Sequence, residues 1–258
     1  MATKALATKQ GPGTALVNWE ERLAAMAKQS VATESSVTSG AFISTRAGQL
    51  SYNGTPFVGN KVDAVVVDAV LENTYFGTRF DPDNPASPQC YAFGRGEEGE
   101  EMVPHEKSPD PQHPTCKGCP QNEFGSADNG KGKACKNIRR LALIPASPLD
   151  ANALAKSDVA YLKVPVTSVK GWATYVRTLE ALQHRPPLGV VTQISCQPHP
   201  KDQFHVVFDH KMNLGNELLS VVGPRYDVIR EGIMFPYAEA STNAAPAKPA
   251  PKGGKRKF

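Results

Sequence analysis

The most restrictive feature of the chain is the stretch from Asp81 to Lys136. More than fifty residues here carry neither helical nor strand periodicity, yet hold four of the five cysteines. "DPDNPASPQC" is turn chemistry, "RGEEGEE" is an acidic loop, and "VPHEKSPDPQHPTC" is broken by proline. A compact domain rarely carries so long a loop unless function or a metal holds it.

The cysteines supply the means. Cys90, Cys116, Cys119 and Cys135 are spaced C-x25-C-x2-C-x15-C. The C-x2-C knuckle lets two thiolates grip one ion from a tight turn, which Gly118 favours. Cys90 and Cys135 would complete the tetrahedral shell of a structural Zn2+ site. Thiolates select zinc over hard cations. Such a site carries a formal charge of about −2, and Lys117, Lys131, Lys133 and Lys136 are near in sequence to offset it. Two alternatives stay open: His105 or His113 in place of Cys90, or unrelated free thiols in a reducing compartment. Cys196, in a predicted strand, reads as a buried structural thiol. "CQPHP" adds His199 at C-x2-H spacing, but nothing nearby supplies two further ligands.

Catalytic patterns are missing. Residues 125–132, "GSADNGKG", imitate a phosphate loop but have Gly132 where Ser or Thr must hold magnesium. "PHEKS" lacks the second histidine of a zinc-protease helix, no G-x-S-x-G elbow occurs, and no H-x-E precedes "PTCKGC" as in a zinc deaminase. A shell closed by four thiolates also leaves no position for an activated water. The expectation is a protein that is not an enzyme.

Regular patterning flanks the cysteine-rich segment. Residues 1–13 read as a disordered N-terminus. Leu16, Val17, Trp19, Leu23 and Met26 then mark an amphipathic helix before a Ser/Thr-rich linker. "AFISTRAGQLSYNG" and "KVDAVVVDAVLENTYF" read as strands, as do "RRLALIPA" and "DVAYLKVPVTS". "VKGWATYVRTLEALQ" is a helix burying Trp172, Tyr175, Val176 and Leu179. "LGVVTQISCQ" and "QFHVVFDH" form a hairpin around "PHPKD", and "NLGNELLSVVGPRYDVIREGIMF" is helical with a break at Gly223-Pro224. This order predicts a mainly β fold with some α. The closest architecture is an OB-like antiparallel β-barrel over residues 14–238, with a zinc-binding insertion at about 81–140 and flanking helices. A sheet with helices on one face is the alternative. Residues 239–258 read as a disordered basic tail.

Charge and aromatics point to a partner. Of the net +4, five positive charges (Lys248, Lys252, Lys255, Arg256, Lys257) sit in the tail, so the rest of the chain carries −1. Anions must therefore be met locally. "KGKACKNIRR" gathers Lys131, Lys133, Lys136, Arg139 and Arg140 without an acid, and Tyr75, Phe76, Arg79, Tyr91, Phe93 and Phe124 lie in nearby segments. Cations that track phosphates and rings on which bases stack are the ingredients of single-strand binding. The competing reading is that these rings are core and the cations only balance the thiolates. No apolar run approaches the roughly 20 residues that span a bilayer, and the first residues lack a secretory signal's apolar core. The expected location is cytoplasmic, with no membrane partner.

In order, "NWEERLAAMA", "ISTRAGQLSYNG", "PQCYAFG", "CKGCPQNEFGSA", "GKGKACKNIRRLALIP" and "GVVTQIS" resemble a group of tailed-phage proteins, some described as single-stranded-DNA-binding proteins. The pattern covers most of residues 18–210. The resemblance implies a phage replication or recombination accessory protein that coats exposed strands in the host bacterial cytoplasm. It also implies Cys90, Cys116, Cys119 and Cys135 as ligands. Replication or recombination proteins would be further partners. One departure is the tail: many single-strand binders end in an acidic peptide with a terminal aromatic, whereas here Phe258 closes a basic one. The rival reading is a zinc-ribbon adaptor for a host polymerase or nuclease, marked by an exposed apolar patch on the insertion.

Overall fold

The computed structural model describes residues 42–78 and 86–237, together with Arg22, Leu23, Ala25, Met26, Ala27 and Gln29. The expected N-terminal disorder, Trp19, Arg79 and the basic tail lie outside the described residues. The chain divides into two compact units between Gly40 and Ala41. In the first, the described residues are helical, and Leu23 and Met26 are exposed.

The second unit is built on β4 (Lys61–Tyr75), whose run of valines and alanines suits burial on both faces. β6 (Lys136–Pro145) pairs along one side of it. Its other side is shared by β8 (Val190–His199) at the start and β5 (Cys90–Gly94) at the end. β9 (Gln203–Asn213) extends the sheet beyond β8 as the expected hairpin. On the far side, β7 (Ala160–Val164) follows β6, and the short strands β1 (Phe42–Ser44), β2 (Ser51–Tyr52) and β3 (Thr55–Pro56) close the order β3-β2-β1-β7-β6-β4-β8-β9.

The result is a mainly β, curled, barrel-like sheet with helices. It departs from the expected antiparallel barrel in two ways. β1 runs parallel to β7, so the sheet is mixed. It is also open, since among the described residues β3 and β9 end the order without pairing. Side chains nonetheless tie its ends together. Asn60 Nδ2 donates to the Cys196 carbonyl (3.0 Å) and the Gly48 carbonyl (2.8 Å). Gly48 also sits so close to Phe204 that a Cβ would lie 3.2 Å from the Phe204 Cβ.

Strand alternation sends successive side chains to opposite faces, and each face carries its own core. Ala64, Val66, Leu141, Leu143 and Ile194 pack with Trp172, Tyr175 and Leu179 of α2 (Val166–Gln183). Cys196 joins this core, and burial pushes its thiol up to about 11. Val65, Val67, Ala142 and Ile144 pack with Leu154 of α1 (Ala151–Lys156) and with Val222 and Ile229 of α3 (Asn216–Gly232). The expected break at Gly223-Pro224 does not occur: α3 runs through Pro224. The lost backbone bond is tolerated because Val222 and Ile229 hold the helix on the sheet from either side of it.

β4 also changes phase. Val66 pairs with Leu143, but Asp68 pairs with Ala142, so Val67 is an extra residue. Before this bulge, odd residues face the second core; beyond it, even residues such as Val70 and Glu72 do. That shift decides what reaches the candidate site.

Candidate metal centre and nucleic-acid interface

Past the bulge, Asn73 and Tyr75 share one face of β4, and their partners across the sheet are Ala92 and Cys90. All four residues line a cavity of about 20 Å³ together with Cys116, Cys119 and Cys135. Sequence spacing thus anticipated the gathering of the four thiols, including the distant Cys90. A volume of this size admits one water-sized sphere. His113 lines the cavity too, with Nδ1 2.8 Å from the Thr115 carbonyl oxygen. His105 is not among its lining residues; its ring stacks on Tyr91 at 5.1 Å.

The insertion's backbone is fastened around this cavity. The His105 N–H donates to the Tyr91 carbonyl, the Asp110 N–H to that of Gln89 and the Cys116 N–H to that of Met102, each at 2.8 Å. The Cys135 N–H donates to the Gln121 carbonyl, also at 2.8 Å. Gly118, with φ at +75°, supplies the left-handed turn of the knuckle. Polar groups face the sulfurs. The Asn73 side chain hydrogen-bonds Cys116, and the Gln112 backbone hydrogen-bonds Cys90. Asn73 is held for this by Asn137, whose Nδ2 donates to Asn73 Oδ1.

Burial pushes the Cys135 thiol up to about 12, and Cys116, Cys90 and Cys119 add to the shift against the opposing Lys133. Cys90 and Cys116 are also raised, by burial first and then by neighbouring thiols. Cys90, Cys116 and Cys135 therefore sense the charge of neighbouring thiols. Such a thiol set suits one soft or borderline cation, which would replace the protons and relieve the mutual repulsion. Among the described residues, however, the trio whose ligand atoms all lie within 4.8 Å of one another is His199, Asp202 and His205. No three of the cysteine sulfurs are gathered that tightly.

Beside the cavity lies a groove of about 670 Å³ lined by Tyr75, Phe76, Lys131 and Lys136, with Gln121 and Asp128. Phe76 is 40% exposed and both lysines are exposed. Lys136 Nζ donates to the Lys133 carbonyl (2.9 Å), and Lys133 Nζ lies 5.3 Å from the centre of the exposed Phe124 ring. Tyr75, Phe76, Lys131 and Lys136 thus share one groove, whereas Lys133 and Phe124 are not among its lining residues.

The remaining sequence candidates do not join it. Arg140 is 1% exposed and forms a two-pronged pair with Glu72, itself 0% exposed, at 2.8 and 3.1 Å. Its NH1 donates to the carbonyls of Ile233 (3.1 Å) and Phe235 (2.8 Å). The guanidinium lies 4.3 Å from the ring centre of Phe93 and 4.4 Å from that of Phe235. Tyr91 is 2% exposed, edge-on to Tyr237 at 4.9 Å. Arg140 and Tyr91 are buried and Phe93 is partly buried because the bulge turns Glu72 inward. Cross-strand pairing of Glu72 with Phe93 then puts Phe93 on the same face, and Val70 with Arg140 does likewise for Arg140. Arg139 points to the other face, half-buried, with its NH1 donating to the Ile138 carbonyl at 2.9 Å.

The His199–Asp202–His205 group is legible in the sequence as H-x2-D-x2-H across the hairpin, whereas the C-x2-H spacing of "CQPHP" reaches His199 alone. No helix among the described residues is long and apolar enough to cross a membrane. No protein family, curated protein or solved structure matches the chain.

Proposed function

We propose that this chain is a non-enzymatic, zinc-stabilised protein that binds single-stranded DNA without sequence preference. Its setting would be phage replication or recombination in the host bacterial cytoplasm. The observation that carries the reading is the groove in which Tyr75, Phe76, Lys131 and Lys136 converge. Stacking on an exposed ring is worth roughly 1–3 kcal/mol per base and accepts any base, while the lysines meet phosphates. The curled, barrel-like sheet, with α2 between β7 and β8, supports an OB-like reading of the fold. Arg140, Tyr91 and Phe93 have no part in the interface.

Zn2+, held by Cys90, Cys116, Cys119 and Cys135, would supply cross-linking rather than chemistry, fixing the insertion that carries Lys131 and Lys136. His113 is the substitute ligand that also lines the cavity. A second reading, an adaptor for a host polymerase or nuclease, is favoured by Phe124 and Val103, which are 82% and 52% exposed on the insertion.

Fluorescence anisotropy of a labelled oligo-dT, with duplex and RNA competitors and before and after zinc removal, tests the proposal. Binding that prefers the single strand and weakens without zinc is expected. No binding at low salt with zinc in place would overturn the DNA reading and leave the adaptor.

A further inference from the structure

We propose that His199, Asp202 and His205 form a binding site for a divalent transition-metal ion of the Zn2+ class at the tip of the β8–β9 hairpin. The cysteine cavity and the groove have no share in it. The two histidines lie on one face of the hairpin, since the ladder pairs His199 with Gln203 and His205 with Gln197. Their rings stack at 3.8 Å with an interplanar angle of 11°. Asp202 lies in the turn between them.

The geometry is convergent. His199 Nδ1 lies 3.2 Å and His205 Nε2 lies 2.8 Å from the same oxygen, Asp202 Oδ2. Two ring nitrogens and a carboxylate oxygen therefore cluster, and His199 Nδ1 is buried without a hydrogen-bond partner, a donor that an ion would satisfy once the stacked rings and the carboxylate adjust. Imidazole with carboxylate is a ligand set for zinc and its transition-metal neighbours. Three protein ligands leave further positions for water or for a donor from a partner. The side chains are 34%, 37% and 31% exposed for His199, Asp202 and His205, but His199 Nδ1 itself is buried, so its ring must shift for an ion from solvent to reach it.

The scaffold is stiff, as a preformed site requires. Gln203, the first residue of β9 after the three-residue loop 200–202, takes the left-handed conformation at φ +67° and closes the turn. The Phe204 N–H donates to the Asp202 carbonyl at 2.7 Å, and Gly48 backs against Phe204. The opposite face of β9 is anchored by Val206 and Phe208 in the α2-side core. Without metal, the Asp202 carboxylate hydrogen-bonds only the His205 ring, and His199 Nδ1 is left without a hydrogen-bond partner.

The test is a Zn2+ titration of the full chain, already carrying whatever zinc it retains on purification, followed through the imidazole 15N and 1H resonances. The expected result is a saturable shift of the His199 and His205 rings, while those of His105, His184 and His210 hold still. His205→Gln and Asp202→Asn, both at a partly exposed turn, should each weaken the response by about 100-fold or more, since even outer-shell changes at metal sites cost 10–100-fold. Rings that ignore Zn2+, or a response with the wild-type midpoint in His205→Gln, would overturn the proposal and leave a hydrogen-bonded turn. Neither outcome depends on whether the chain binds DNA.

Discussion

Replacing Arg140 with methionine should cost the folded protein about 3–5 kcal/mol, because it strands the fully buried Glu72 carboxylate without its principal partner. It also removes the donor to the carbonyls of Ile233 and Phe235, which tie the segment after α3 to the sheet. Two neighbours soften the loss. Lys163 Nζ lies 3.8 Å from Glu72, and the Tyr237 hydroxyl donates to Glu72 Oε1. These favour the lower end, about 3 kcal/mol, a shift of more than 100-fold in the unfolding equilibrium. For a domain of this size the midpoint should fall by roughly 6–12 °C. Urea unfolding of the zinc-saturated protein, followed by far-UV circular dichroism, measures it. Glu72→Gln combined with Arg140→Met should recover much of the loss, since no charge is then stranded. The oligo-dT affinity of the folded single variant should stay at the wild-type value. An Arg140→Met protein that is as stable as wild type but has lost DNA binding would refute the assignment and return Arg140 to the phosphate contacts.

Three further outcomes follow from the same residues. Burial lowers Lys163 to about 8, with Glu72 opposing, whereas the unfolded chain holds that proton until its ordinary value of 10.5. Between these values the unfolded state binds more protons, so stability should rise with pH. The difference between wild-type and Lys163→Met unfolding free energies isolates this contribution; a flat difference from pH 8 to 10 would contradict it. Chelating zinc, or replacing Cys135 with serine, should speed amide exchange across residues 95–135 while leaving β8, β9 and α2 protected; uniform exchange throughout would argue that the metal does not organise the insertion. Phe76→Ala should weaken oligo-dT binding by roughly 1–3 kcal/mol with little change in stability, as read by anisotropy and by urea midpoint.

Much of the architecture was legible where side-chain chemistry is locally decisive. The apolar runs of β4 and β6, the β8–β9 hairpin and the Trp172–Leu179 face of α2 all emerge from periodicity. β5 did not, because "CYAFG" is five residues long within proline-rich turns, and its strand character comes from pairing with β4. The through-running α3 was hidden because Pro224 has a strong local preference that packing on both sides overrides. The site shows the same division. Cysteine spacing brings four thiols to one cavity without knowledge of the fold. Arg139 and Arg140, chemically identical and adjacent, cannot be sorted into outer and inner residues by sequence. That sorting depends on the single extra residue at Val67, which sets the phase of β4 and turns Glu72 inward.

The most direct measurement is the salt dependence of oligo-dT affinity for wild type beside a Lys131→Ala/Lys136→Ala double variant. Each phosphate neutralised contributes about 0.7 to the slope of log affinity against log salt for a single strand. If the two lysines line the binding groove, the double variant should lose about 1.4 from the slope and bind more weakly at low salt, with an unchanged unfolding midpoint. Identical slopes and affinities for the two proteins would contradict the groove as the place where DNA is held.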